Sequence, residues 1–402
     1  MKNVSSSNSQ GELVPKLRFP GFEGEYSEVT IGDLFRERSA RAGGYEELLS
    51  VTMNDGVKRR SELDGKDNSS EDKSNYKVVC AGDIVYNSMR MWQGESGVSP
   101  YDGIVSPAYT VLEPRVDLDE RYIGAYFKTT SLINKFRRNS QGMTSDTWNL
   151  KYPQISPIKI SVPSKTEQNK VAEFLRAIEK RIDIQLQLIE SLKSYKRGLI
   201  RTLLSPDRNK RAGVEWTSAL IGDLGKFIKG APLLKADISS KGNPFILYGE
   251  LYTTYGEVIT NVVRKTEAKV DSVYYSKVGD VIVPTSGETP EEISTASCVM
   301  APNVILAGDL NIFRTTKVDG RILSYILNHI VNWQIARIAQ GKSVVHIQSS
   351  ELAQIEIVIP DNDEQKRIVA AVDGVDKIVT NSENTLERLV AAKNALLQQL
   401  FI

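Results

Sequence analysis

The stretch "VPSKTEQNKVA", Val162–Ala172, decides the fold, because the chain writes it again as "IPDNDEQKRIV", Ile359–Val369, 197 positions later. Each copy runs from an apolar residue and proline through a polar opener to Glu-Gln, a basic residue and an apolar residue. It reads as a helix start. Ser164 and Asp361 suit the N-cap, and Glu167 and Glu364 follow at capping-box spacing, in which each side chain satisfies a backbone N–H of the other residue. The proline closes a strand-like run, "IKISVP" in one copy and "IEIVIP" in the other.

Working outward, Ile158–Leu204 lies over Ile355–Phe401 without a gap. Pro163, Glu167 and Gln168 fall on Pro360, Glu364 and Gln365; Lys180, Glu190, Leu192, Lys196, Leu199 and Leu203 fall on Lys377, Glu387, Leu389, Lys393, Leu396 and Leu400. Past the cap, one stripe advances in steps of four and three: Val171, Leu175, Ile178, Ile182, Gln185, Ile189, Leu192, Lys196, Leu199, Leu203. The other is Ile368, Val372, Val375, Val379, Ser382, Leu386, Leu389, Lys393, Leu396, Leu400. A stripe over several heptads predicts a coiled coil, and its polar breaks, shared by both series, fix register at a cost in stability. Each helix would be about 40 residues and roughly 60 Å long. The alternative, two unrelated amphipathic core helices, does not account for the shared caps, breaks and ungapped register.

The repeat extends upstream. "TIGDL" (Thr30–Leu34) returns as "LIGDL" (Leu220–Leu224), "AGDIV" (Ala81–Val85) as "VGDVI" (Val278–Ile282), and "SQG" (Ser140–Gly142) as "AQG" (Ala339–Gly341). The unit is therefore a globular segment of mixed strands and short helices followed by one long helix, present twice. Between the shared pieces the copies diverge: "VTMNDGVKRRSELDG" and "YNSMRMWQGESG" in one, "YGELYTTYGEVIT" and "PTSGETPEEIS" in the other. A common frame with unlike loops suggests two related but non-identical binding heads.

Composition narrows the classes. Fifty-one basic side chains face fifty acidic ones, so bulk electrostatics would not hold nucleic acid, and a DNA reader of this charge needs help from a partner. Two cysteines, Cys80 and Cys298, are too few for a disulfide framework or zinc site, and a reducing interior is expected. No membrane span or signal peptide is read.

If a pseudo-twofold axis crosses the helix pair, the helices run antiparallel and carry the heads to opposite ends. Major-groove surfaces return to one side of a duplex about every 34 Å, so a helix pair of this length could act as a ruler between two half-sites. With "PKLRFPGFEGEY" near the start, "IGDL" opening each half, the "GD" strand, and "P…EQ" before each long helix, the chain resembles the specificity subunits of Type I restriction–modification systems, over about Pro15 to Ile402. The resemblance implies a non-catalytic subunit whose two target-recognition domains read an asymmetric bipartite sequence in double-stranded DNA. It further implies that the helices dock two modification subunits that methylate adenine with S-adenosylmethionine, that restriction subunits join through them, and that the complex is cytoplasmic.

The expected fold is α+β: two target-recognition domains, each followed by a long helix, with the helices paired as an antiparallel coiled coil of pseudo-twofold symmetry. The expected boundaries are a flexible tail over 1–22, the first domain over 23–163, a spacer helix over 164–205, linker and second domain over 206–360, and a second spacer helix over 361–402.

No catalytic set, metal site or cofactor motif emerges. Only two histidines occur, His329 and His346, and the Asn/Asp-Pro-Pro-aromatic tetrad of adenine methyltransferases is missing. "QGKS" ends like a phosphate loop, but Ala336 stands where the earlier glycine is needed. "PDNDEQK" mimics a nuclease Asp…Glu-x-Lys, yet the other copy has Asn169 for Lys366, and capping explains the run better. Base readout falls to polar and aromatic loop residues. In the first head these are Lys58, Arg59, Arg60, Asn87, Ser88, Arg90, Trp92, Gln93, Thr144, Ser145 and Trp148. In the second they are Tyr252, Thr253, Thr254, Tyr255, Thr285, Ser286, Lys342, Ser343 and His346. The basic run Lys193, Lys196, Arg197, Arg201 suits a helix C-terminus, a phosphate or an acidic partner. Lys196 lies on the seam and is expected to reach an acidic group near the start of the other helix. Two rival functions are a tandem protein-interaction scaffold with coiled-coil partner binding and a self-sufficient DNA enzyme.

Overall fold

The computed structural model describes residues 14–43, 47–67, 69–205, 216–339, 341 and 344–402. The expected long helices form as Lys165–Leu203 and Asn362–Leu400. The chain divides into two compact units, one of Met1–Leu186 with Asn384–Ile402 and one of Gln187–Glu383. Each unit thus takes a head, the start of one long helix and the end of the other.

Within the first unit, Leu397, Leu400 and Phe401 pack into the same core as Val171, Ala172 and Leu175, so the end of the second helix lies beside the start of the first. Within the second unit, Ile200 and Leu204 share a core with Ile368, Val369 and Val372. Both pairings are antiparallel. Every position of the two predicted stripes is buried or half-buried.

The "EQ" of the repeated phrase has a mechanical role. Gln168 Nε2 donates to the Pro163 carbonyl at 2.9 Å, and its Oε1 accepts from Asp119 N at 3.1 Å. Gln365 does the same with Pro360 (2.8 Å) and Asp319 (2.9 Å). Each glutamine ties the strand end before the long helix to the aspartate that caps a helix of the head, Glu120–Tyr126 or Gly320–His329. Ser164 and Asp361 cap as expected, accepting from Glu167 N (3.4 Å) and Glu364 N (3.0 Å). The reciprocal half of the box fails at Glu167. Its carboxylate instead accepts from Arg18 Nε and Nη2 (both 2.8 Å) and Tyr26 Oη (3.1 Å). Arg18 lies in the segment expected to be a flexible tail. Residues 14–22 are instead anchored through this ion pair, through Leu17 N donating to Gln399 O at 2.9 Å, and through Phe19 set edge-on against Phe174. The remainder of that expected tail, 1–13, lies outside the described residues.

"IGDL" forms a one-turn helix in both heads, Ile31–Leu34 and Ile221–Leu224, with the isoleucine and leucine buried. Its glycine is needed for close approach: a Cβ on Gly32 would lie 3.1 Å from Ser156 O, and one on Gly222 would lie 3.2 Å from Ala353 O. The "GD" pieces turn through left-handed glycines, Gly82 (φ 95°) and Gly279 (φ 91°). The aspartate after each is buried and paired with an arginine, Asp83 with Arg38 and Asp280 with Arg314, both at 2.7 Å.

The first head's main sheet runs Phe35–Glu37, Tyr109–Pro114, Ile84–Asn87, Ser96–Val98, all antiparallel. The second head repeats this order as Gly225–Lys229, Leu310–Thr315, Asp280–Pro284, Ser297–Val299 and adds a parallel edge strand, Val258–Ile259. No described helix is long and apolar enough to cross a membrane, and no metal-binding cluster occurs among the described residues.

Candidate nucleic-acid interface

In the first head, a short loop joins the strands Ile84–Asn87 and Ser96–Val98. It closes on itself through Asn87 N donating to Glu95 O (3.1 Å) and carries a 3₁₀ turn, Met91–Gln93. This loop lines a cleft of about 950 Å³ together with Arg60, the turn around Ser145 and Tyr109. Arg60, Asn87, Arg90, Trp92, Gln93 and Ser145, scattered in sequence, therefore meet in one place.

The aromatics Tyr76, Trp92 and Tyr109 stand in a mainly polar cleft wall, and Trp148, which is not part of the lining, supports Trp92. Trp92 and Trp148 meet edge to face at 5.2 Å, the Arg137 guanidinium sits 5.5 Å over Trp148, and Trp92 Nε1 donates to Met89 O. Thr144 caps the turn Ser145–Thr147, leaving Thr144 and Ser145 exposed. Arg60 is already committed: it donates to the carbonyls of Leu63 (2.9 Å) and Gly65 (2.8 Å). Ser88 is buried, its hydroxyl paired with that of Thr110 at 2.8 Å, so it braces the loop from inside. Lys58 and Arg59 end the strand Gly56–Arg59 and do not line the cleft; Arg59 lies 4.5 Å over the Tyr101 ring. Glu95 was not expected in the site. A carboxylate following Gly94 carries no sequence signal, yet it is buried and lines the cleft.

In the second head, a two-residue ribbon pairs Ser286 with His346. Thr285 O accepts from Ile347 N at 3.0 Å, so Thr285, Ser286 and His346 come together. His346 is exposed, whereas Ser286 is buried and donates to Asp309 Oδ2 at 2.8 Å. Tyr252, Thr253, Thr254 and Tyr255 follow from the short helix Glu250–Thr253. Thr253 Oγ1 donates to Gly249 O, and Tyr255 Oη accepts from Val263 N. Burial, then the neighbouring Tyr248 and the charges of Glu292 and Glu288, push the Tyr252 phenol up. Lys342 and Ser343 lie outside the described residues.

One more cluster ties the second head to its helices. Lys196 Nζ reaches Glu257 Oε2 at 2.9 Å and Asp376 Oδ1 at 2.6 Å. Glu257 Oε1 accepts from His329 Nε2 at 2.8 Å. Asp376 lies in the first half of the second long helix, further along than the expected helix start. Burial pushes the Glu257 carboxyl up, but the His329 hydrogen bond and the Lys196 charge outweigh it and hold it well below the usual carboxylate range. The corresponding lysine, Lys393, pairs with Glu179 at 2.7 Å in the first unit.

Two heads of one frame, each bearing unlike loops and seated on a long helix, define a tandem-domain architecture. The chain belongs to the family of the Type I restriction modification DNA specificity domain, whose model matches residues 23–194 and again 213–390. Membership makes it a specificity subunit, the non-catalytic DNA-recognising component of a Type I restriction–modification system. The Type I restriction enzyme MjaVIII specificity subunit of Methanocaldococcus jannaschii is 21% identical over 369 residues, covering 81% of each chain. A solved chain from work on complex assembly and conformational transition of the type I R-M system shares the fold at a TM-score of 0.61 and 16% identity, covering 96% of this chain and 99% of that one. The Type-I restriction-modification system S subunit from M. genitalium does so at 0.54 and 14% identity, covering 97% and 99%.

Proposed function

We propose that each head reads one half of an asymmetric bipartite DNA sequence. The long helices dock two adenine-methylating modification subunits and, through them, restriction subunits. One observation carries this reading: the proline–glutamine–aspartate tie is the same in both units, while the loops beside the shared strands differ in length and chemistry. A frame reproduced that closely holds two unlike surfaces in equivalent settings, as two different half-sites require. The near-neutral charge fits a subunit whose partners supply much of the phosphate grip.

Apolar side chains remain exposed on the long helices. They include Ile184 and Val390 in the first unit, and Leu188, Tyr195 and Ile378 in the second. They are suited to receiving helices of the modification subunits. Replacing residues 23–163 by another head, followed by methylome sequencing, tests modular reading. One half-site should change and the other persist; a change in both refutes it. The isolated chain should bind DNA weakly and the assembled complex tightly, and nanomolar selective binding by the chain alone would contradict this division.

A further inference from the structure

We propose that Glu95 is a positioning residue for base readout: from the root of the loop Asn87–Glu95 it directs Arg90 toward a guanine in the half-site of the first head. The inference rests on the DNA-reading role proposed above.

Glu95 is 5% exposed. Its Oε1 accepts from Asn87 Nδ2 at 3.1 Å, and Asn87 Oδ1 accepts from Met89 N at 3.1 Å. One carboxylate oxygen therefore locks the start of the loop. The other, Oε2, is sealed from solvent and has no hydrogen-bond partner. Its ion-pair partner is Arg90, whose Nη1 stands 3.6 Å away, too far for a hydrogen bond; the half-buried Lys128, which donates to Gly94 O at 2.6 Å, also feels the Glu95 charge. A buried acceptor left unsatisfied is costly, so its persistence beside a guanidinium needs a reason.

DNA in the cleft supplies one. The Arg90 side chain is 65% exposed, with one edge drawn to Glu95 and the remainder facing the cleft. A guanidinium is a planar fork of five donors, so anchoring one edge fixes the direction of the other. Guanine N7 and O6 form the major-groove acceptor pair that accepts such a fork bidentately, whereas the amino groups of adenine and cytosine would oppose donor to donor. Displacing water from the cleft strengthens the attraction of Arg90 to Glu95, because it is less screened in a drier site. Trp92, held by Met89 O and the Trp148 ring, keeps the loop from shifting to compensate. Glu95 cannot read a base itself, since its unpaired oxygen is closed off.

The test uses the full chain co-expressed with its modification subunit, with E95Q, R90A and R90K variants. Competition binding is measured against duplexes carrying every single base-pair change in both half-sites. Wild type should prefer guanine at one position of the first half-site by about tenfold to a hundredfold. That preference should vanish in R90A and drop several-fold in R90K and E95Q, while the second half-site stays intact. E95Q keeps an acceptor for Asn87, and an unchanged unfolding temperature of the complex shows that the loop remains folded. A uniform loss of affinity at all positions in E95Q would reduce Glu95 to a loop brace and overturn the proposal. So would an unchanged first half-site in E95Q, whatever R90A does. A wild-type complex without a two-part motif would overturn the parent reading as well, and is distinguishable because it precedes any mutation.

Discussion

Replacing Lys196 by methionine should cost its unit about 3 kcal/mol, whereas the same change at Lys393 should cost under about 1 kcal/mol. The two lysines occupy the same position of the repeat, and their helix partners, Asp376 and Glu179, also correspond. Their surroundings do not. The Lys196 side chain is 13% exposed between Glu257 (18%) and Asp376 (36%); Lys393 and Glu179 are 28% and 52% exposed. Removing one member of a buried charge cluster leaves the others uncompensated, at about 3–5 kcal/mol, and the partial exposure of Asp376 selects the low end. A solvated pair gains about 0.2–1 kcal/mol. For a unit of this size, 3 kcal/mol lowers the melting temperature by about 6–12 °C. Thermal and urea unfolding of the full chain, followed by circular dichroism, measures both variants. Adding E257Q to K196M should recover part of the loss, because it removes a stranded charge. Equal losses for K196M and K393M, or no recovery in the double variant, would refute the reasoning.

Acid should weaken the second unit through Glu257. Its carboxyl is held below its ordinary value of 4.5, so its ionised form stabilises the fold above about pH 4.5 and that contribution fades as pH falls. Melting curves of E257Q between pH 3 and 7 should therefore show a shallower acid limb than wild type. Gly142 has φ 148°, and a Cβ there would lie 2.6 Å from Thr147 O. G142A should therefore displace the turn bearing Thr144 and Ser145 and weaken recognition of the first half-site alone, as duplex competition would report. Inserting one heptad at matching points of both helices adds about 10 Å while nearly keeping each helix face, so the unread spacer should lengthen by about three base pairs. Methylome sequencing reads the spacer, and an unchanged length would remove the ruler.

The long helices were legible because their cause is local. Caps, prolines and the four–three stripe from Val171 and Ile368 specify helix and seam without knowledge of distant residues. The antiparallel direction followed once the repeat was seen, and the cores joining Leu400 to Val171 and Ile200 to Ile368 realise it. Much of the cleft lining in the first head was also marked by residue type, although Ser88 and Ser286 are polar for an interior reason: their hydroxyls hold Thr110 and Asp309.

Sequence alone established a duplicated frame, two helices with a common seam and two sets of unlike loops. Tertiary structure decided which loop residues share a cleft, that Arg18 claims the capping glutamate, and that Glu95 sits buried beneath Arg90. It also broke the equivalence of the two lysines, because the strand Val258–Ile259, added only to the second head's main sheet, brings Glu257 to Lys196. Periodicity records what each residue does along its own helix. Contacts across tens or hundreds of positions depend on where the rest of the chain has packed, and no local pattern encodes them.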